Sequence, residues 1–265
     1  MKLIRYKDST GNINTGKLDK DSGIIEEFEK DFLDLVDNLE EFSYLENKKQ
    51  EKRRVYLDDV TLLSPVAPGK VIGVGLNYKD HAREFDMEIP ENPLLFLKPS
   101  TSVIAFEEGI KLPSASSRVD YEGELAIVVR KETKNVTREE GAANILGYTC
   151  ANDVTARDLQ KKDGQWTRAK SFDTFSPLGP WIETDIDPGS LKLSTRVNGI
   201  EKQNSSTAEM IFSPSYLISF ISEIMTLEKG DVIITGTPPG VGPLEKGDNV
   251  EVEIEGIGIL KNHVI

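Results

Sequence analysis

Three carboxylates in this chain have the type and spacing to do chemistry. Glu122 and Glu124 flank Gly123 at the entrance to residues 125–129, Leu-Ala-Ile-Val-Val, and Asp153 follows the run Gly147-Tyr148-Thr149-Cys150-Ala151-Asn152. Side chains alternate along a strand, so Glu122 and Glu124 point to one face. The continuation is apolar on both faces, as in a buried strand. Two carboxylates placed this way repel: one takes a proton, or both meet a cation. Asp153 at the rim of the same core adds a third hard oxygen donor, of the kind that holds Mg2+, Mn2+ or Ca2+. Taken alone, Glu-x-Glu favours an exposed edge strand with two solvated carboxylates.

A second set is cationic or basic. His81 and Glu84 stand three residues apart on an expected helix over residues 78–85, so both project from one face and form a candidate general base. The alternative is a surface histidine with no catalytic role. The other histidine, His263, has no such neighbour and reads as a tail residue. Lys170 stands among small residues and aromatics, where burial requires an anionic partner and a snorkelling surface position does not. Gly73-x-Gly75 lacks the third glycine of a dinucleotide fingerprint, and the loop Gly236-Thr237-Pro238-Pro239-Gly240 lacks the Gly-Lys-Ser/Thr ending of a phosphate loop.

The elements that must position these groups are mostly strands. Residues 1–6, 70–74, 94–99, 191–197, 232–235 and 250–254 have strand patterns, and Val197-Asn198-Gly199-Ile200 predicts a tight hairpin. Residues 25–49 carry apolar side chains at helical spacing and predict one amphipathic helix or two short ones. Thr137 to Glu140 has a capping-box pattern, Thr155 offers a weaker cap to a turn carrying Arg157 and Gln160, and Ser213-Pro214 predicts a helix start with residues 216, 217, 220, 221 and 224 facing the core. Residues 161–165 read as a polar loop and residues 176–181 as a rigid turn. Many strands, few helices and no βαβ rhythm predict an α+β fold, β-rich with helices outside. Ser64-Pro65-Val66-Ala67-Pro68-Gly69 punctuates the chain, which divides into a small N-terminal α+β domain over residues 1–60 and a main domain over 61–265.

Composition narrows the function. A net charge of −13 with no basic stripe argues against nucleic-acid binding. The one cysteine, Cys150, has no partner in the chain, no apolar run reaches the length of a membrane span, and the N-terminus lacks the shape of a signal peptide, so a cytoplasmic location is expected.

The chain resembles the fumarylacetoacetate hydrolase family over residues 60–265. The resemblance is carried in order by Gly73-Val-Gly-Leu-Asn-Tyr78 with His81 and Glu84, Phe96-Leu-Lys-Pro99, Asp120-Tyr-Glu-Gly-Glu124, Gly147-Tyr148 through Asn152-Asp153, Ala156-Arg-Asp-Leu-Gln160, Ala169-Lys-Ser-Phe-Asp173 and Thr235-Gly-Thr-Pro-Pro-Gly240. It implies a mixed β-sandwich or roll core with peripheral helices, a homodimer, and Mg2+ or Mn2+, with Ca2+ as an alternative, held by Glu122, Glu124 and Asp153. It implies action on a 2-oxo or 1,3-dicarbonyl acid, by C–C hydrolysis of an acylpyruvate or by decarboxylation or tautomerisation of oxaloacetate or a 2-oxo-dioate. His81, Glu84 and Lys170 are then catalytic, and Arg157, Gln160, Gly236 and Thr237 bind substrate. A sugar-acid dehydratase on the same scaffold, or a non-enzymatic β-rich module with a structural Ca2+, remains open at this point.

Overall fold

The structure, a computed structural model, describes residues 1–36, 53–84 and 88–265; the side chains of His81, Ala82 and Glu84 lie outside the described set. Its strands in chain order are β1 Lys2–Lys7, β2 Ile13–Asp19, β3 Ile24–Glu27, β4 Arg54–Tyr56, β5 Thr61–Leu62, β6 Lys70–Gly75, β7 Leu94–Pro99, β8 Val103–Ile104, β9 Gly109–Ile110 and β10 Val119–Tyr121. They continue with β11 Gly123–Val129, β12 Ile145–Asn152, β13 Thr155–Ala156, β14 Ser176–Glu183, β15 Lys192–Val197, β16 Ile200–Ser206, β17 Val232–Ile234, β18 Gly242–Pro243, β19 Asn249–Ile254 and β20 Gly258–Val264. The fold is α+β and strand-rich. Among the described residues one large sheet runs β4-β3-β2-β1-β14-β12-β11-β17-β6-β7, with β5 on β1 and β8 on β14. A five-stranded sheet runs β16-β15-β19-β20-β9, and a short one runs β13-β10-β18.

The centre of the large sheet is buried on both faces, as the apolar runs demand. Leu125, Ile127 and Val129 of β11 join one core with Leu193, Val252, Ile254 and Leu260 of the five-stranded sheet and with Leu217, Ile218 and Ile221 of the helix Pro214–Ile224. Ala126 and Val128 face the other way, into a core with Phe28, Phe32, Val36 and Phe96. This period of two fixes which face each site residue occupies. Gly123 shares the parity of Leu125, and Glu122 and Glu124 share that of Ala126.

Several local expectations hold. Asn198 (φ 53°) and Gly199 (φ 76°) form the two-residue hairpin turn. Thr137 and Glu140 form the capping box of the helix Arg138–Ala143. Others are corrected. Ile24–Glu27 is a strand between β2 and β4 and not part of a helix; the helix is Phe32–Leu35, and residues 37–52 of the expected helical run lie outside the described residues. The helical spacing of Phe28, Phe32 and Val36 is real, since all three are buried, but Ile24 and Ile25 have neighbours on both sides that pair with them. Residues 176–181 form β14 and not a turn. Every residue of β14 is buried, and the register slip against β12 between Tyr148 and Cys150 accommodates Pro180. Residues 161–163 continue the helix Arg157–Asp163, which ends on Gly164 at φ 69°. Thr155 belongs to β13 and donates to Asp153 O at 2.8 Å, so Ala156 takes the N-cap position. Ser213 takes the N-cap position and Pro214 opens the last helix as expected, but the Ser213 hydroxyl accepts from Arg138 Nη2 at 2.8 Å in place of a capping bond, and Ile224 turns out to solvent. His263 is an exposed residue of β20. No helix of the described residues is long and apolar enough to cross a membrane.

One contact on the path to the site is tight enough to test. A Cβ on Gly73 would lie 2.0 Å from Phe96 Cζ, and the Phe96 ring is itself pinned edge-on against Trp166 at 5.4 Å between centroids. Gly73→Ala is expected to lower stability in urea unfolding by about 1–3 kcal/mol, as overpacking does. Adding Phe96→Leu should restore part of that loss; no loss in the single variant would show that the ring yields freely.

Candidate active site

The three carboxylates converge because three strand ends converge. Glu122 bridges β10 and β11; its N–H donates to Asn152 Oδ1 at 2.9 Å, and its carbonyl accepts from Asp153 N–H at 2.8 Å. Glu124 follows on β11, and Asp153 comes directly after β12. One oxygen from each lies within 4.8 Å of the others, and all three residues are buried.

Four cations surround them. Lys170 ends the helix Thr167–Lys170 and is 2% exposed; its Nζ donates to Asp153 Oδ2 at 2.5 Å and Glu122 Oε2 at 2.8 Å. Lys98, 1% exposed, donates to Asp153 Oδ1 and to Phe175 O at 2.6 Å. Arg157 donates to Asp120 Oδ2 at 2.9 Å, to Gln160 Oε1 at 2.7 Å and to Glu122 Oε1. Arg118, half exposed, grips Asp120 with two hydrogen bonds of 2.8 and 3.2 Å. The result is a chain of alternating charge from the surface inward: Arg118, Asp120, Arg157, Glu122, Lys170, Asp153, Lys98.

Glu124 stands outside this pairing. Its hydrogen bond is to Gly236 N–H at 2.6 Å. Burial pushes its carboxyl well above the usual range, and the charges of Asp153 and Glu122 push it further; Lys170 and the Gly236 N–H offset only part of this. Burial also pushes Glu122 up, but Lys170 and Arg157 overcome it and hold that carboxyl at about 2. Lys170 is held above the usual lysine range: burial opposes its charge, and Asp153 and Glu122 more than restore it. Lys98 is pushed down by burial and by Lys170, with Asp153 compensating only in part. Three clustered oxygen donors, one of them without an ion-pair partner among the described residues, are a fitting donor set for a hard divalent ion.

Of the residues expected from the sequence, the structure brings together Glu122, Glu124, Asp153, Lys170, Arg157 and, through Arg157, Gln160. Gly236 is at the site through its N–H to Glu124, and Thr237 through its hydroxyl, which donates to Gly123 O at 2.9 Å. The helix Lys79–Glu84 carries His81 and Glu84, whose side chains lie outside the described residues. Lys98, Asp120 and Asn77 are additions. Alternation along β7 offered a signal for Lys98, because it falls on the face of buried Phe96. Asn77 had none: fully buried, it accepts from Phe212 N–H at 2.7 Å and donates to Phe212 O at 3.1 Å and Thr235 O at 2.8 Å. Phe96 and Trp166 close one side, with Lys170 Nζ 5.0 and 6.0 Å from their ring centres. A surface groove of about 600 Å³, lined by Lys2, Lys17, Arg54 and Glu183 among others, shares no residue with this cluster; within the cluster Lys170 Nζ lies between Glu122 and Asp153.

The chain is 45% identical over 218 residues to the mitochondrial oxaloacetate tautomerase of Rattus norvegicus, covering 78% of this chain and 70% of that protein. It is similar to the structure of 5-carboxymethyl-2-hydroxymuconate delta-isomerase from Mycobacterium smegmatis, at 43% identity and TM-score 0.89 over 100% of this chain and 99% of that one. It is also similar to the maleylpyruvate hydrolase of Sphingobium sp. SYK-6 in complex with manganese(II) and pyruvate, at 29% identity and TM-score 0.84, again over 100% and 99%. Residues 70–265 match the model of the fumarylacetoacetate (FAA) hydrolase C-terminal family, and the chain belongs to that family.

Proposed function

We propose that the protein is a divalent-metal-dependent enzyme of 2-oxo acids whose main reaction is tautomerisation, isomerisation or decarboxylation of a 2-oxo dicarboxylic acid of the oxaloacetate type. The observation that carries this reading is the buried Glu122–Glu124–Asp153 triad with the Lys170 ammonium across two of its members. The similarity to an oxaloacetate tautomerase and to an isomerase supports it.

A Mg2+ or Mn2+ ion, or in the alternative Ca2+, held by Glu122, Glu124 and Asp153 would supply Lewis-acid polarisation of the 2-oxo oxygen, worth several kcal/mol. Asp153 and Glu122 outweigh burial and hold the Lys170 amine above the usual lysine range. It offsets the negative charge that gathers on the same oxygen when a bond at C3 breaks. Arg157 is fixed in plane by Asp120, Glu122 and Gln160 and has further N–H groups for a substrate carboxylate. Phe96 and Trp166 limit water on the Lys170 side. His81, with Glu84 three residues on, would move the proton at C3, and the Gly236–Thr237 turn would orient the substrate; base catalysis of this kind contributes roughly 10²–10⁴-fold.

A second reading, hydrolysis of an acylpyruvate, is favoured by the similarity to a maleylpyruvate hydrolase bound to manganese and pyruvate. It uses the same groups, with His81 activating water.

Four measurements test these roles. Turnover of oxaloacetate should vanish in EDTA and return with Mn2+ or Mg2+; full activity in EDTA sinks the metal role. In the same series Glu124→Gln should leave the metal-free protein at least as thermally stable as wild type, since burial and its neighbours disfavour that charge, yet abolish stabilisation by Mn2+. Lys170→Met should lower kcat by about 10²–10³, as loss of one charge-stabilising donor does, with a much smaller effect on Mn2+ binding. His81→Ala should cripple tautomerisation and acylpyruvate hydrolysis but spare decarboxylation, and equal loss of all three would refute this division of labour.

A further inference from the structure

Gln203 carries no charge and belongs to no motif, yet it reaches the carboxylate strand from a different sheet. It lies on β16, is 1% exposed, and its Oε1 accepts the Gly123 N–H at 2.9 Å. Its Nε2 donates to Thr237 Oγ1 at 2.8 Å and to Pro238 O at 2.9 Å. Thr237 Oγ1 in turn donates to Gly123 O at 2.9 Å. The ring closes on a single residue, so both backbone polar groups of Gly123 are held by two side chains.

The topology explains why side chains are needed there. β17 pairs with β11 only at Ala126, Ile127 and Val128. Beyond that, the edge of β11 facing β17 has no strand beside it. Thr235 takes Leu125 O with its N–H at 3.0 Å and its hydroxyl at 2.9 Å, and one step further Gln203 and Thr237 take Gly123. The fit leaves no slack: a Cβ on Gly123 would lie 2.1 Å from Thr195 Oγ1 and 3.1 Å from Gln203 Oε1.

Gly123 is the hinge between Glu122 and Glu124. Rotation of either peptide plane at Gly123 changes the angle between the two glutamate Cα–Cβ bonds, and with it the spacing of their carboxylates. We propose that Gln203, acting with Thr237, is a positioning residue that sets the Glu122–Glu124 pair at cation-binding spacing by locking the Gly123 peptides from the opposite face. The proposal rests on the reading of Glu122, Glu124 and Asp153 as ligands of a divalent cation. Groups that orient metal ligands from behind typically govern affinity by 10–100-fold.

Mn2+ titration followed by electron paramagnetic resonance tests this on the full chain, with metal-free thermal unfolding measured in parallel. Gln203→Ala should weaken Mn2+ binding by about 10–100-fold and alter the bound-Mn2+ spectrum. Thr237→Val should act in the same direction, whereas Thr237→Ser, which keeps the hydroxyl, should bind as wild type does. The double variant Gln203→Ala with Thr237→Val should lose little more than the worse single, because both open one ring. Folded Gln203→Ala with wild-type affinity and spectrum overturns the proposal. If Gln203→Ala does not fold, the comparison of Thr237→Val with Thr237→Ser decides, and equal Mn2+ affinities overturn it. Absence of Mn2+ binding by the wild type would instead overturn the metal reading itself, so the two failures are distinguishable.

Discussion

Charge burial is the constraint that organises this molecule. Asp120, Glu122, Glu124 and Asp153 are all withdrawn from water, and each would be prohibitive alone. The chain answers with Arg118, Arg157, Lys170 and Lys98 in alternation with them. Breaking any link would strand a buried ion, which is far more damaging than never having built the pair. The alternation runs out at Glu124, which has a backbone N–H where the others have a cation. The eight groups balance in number, but Glu124 at the centre has no ion-pair partner among the described residues, and it is the oxygen donor left open to a further cation. This locally unmatched position distinguishes the arrangement from a purely structural ion-pair network, in which every carboxylate would meet a cation.

The cluster sits where strand pairing stops. β10 gives way to β11 at Glu122, β12 ends at Asn152, and β17 ends at Ile234. Within a sheet the ladder satisfies backbone groups; at its ends side chains must do so. Asn152 takes the Glu122 N–H, Thr235 serves Leu125, and Gln203 with Thr237 serves Gly123. The polar residues that finish the sheet therefore also fix the backbone from which the acidic side chains project. Stability of the sheet ends and geometry of the site are one set of hydrogen bonds.

The sequence made the acidic triad legible because strand periodicity and abrupt apolar runs are local signals. Lys170 was legible for a related reason, as a cation in a setting that rejects it without a partner. Lys98 and Asp120 needed the same question asked of each, since alternation along β7 already put Lys98 beside Phe96. Gln203 and Asn77 are of another kind. They are neutral amides whose partners lie 80 and 135 residues away, and no local pattern announces such contacts. The misread elements show the same limit. Pro-Gly punctuation suggested a turn at residues 176–181, where burial and pairing with β12 and β8 impose a strand. Helical spacing after residue 25 was overridden at Ile24–Glu27 by two waiting strand partners. In each case the tertiary surroundings outweighed local preference.

Asn77 links the two halves of the site. It follows Leu76, held at φ 39°, in the turn that leads into the helix Lys79–Glu84, which carries His81 and Glu84. Its amide is locked to Phe212 and to Thr235 O, and its Cβ lies where a Cβ on Gly236 would come within 2.8 Å. Gly236, at φ 95°, is therefore the residue type this contact requires, and it is also the donor to Glu124. The backbone that launches the helix thus touches the backbone that serves Glu124. Displacement of one is felt by the other without an intervening flexible segment, so the helix and the acidic cluster keep a fixed relation set by one buried amide and one glycine.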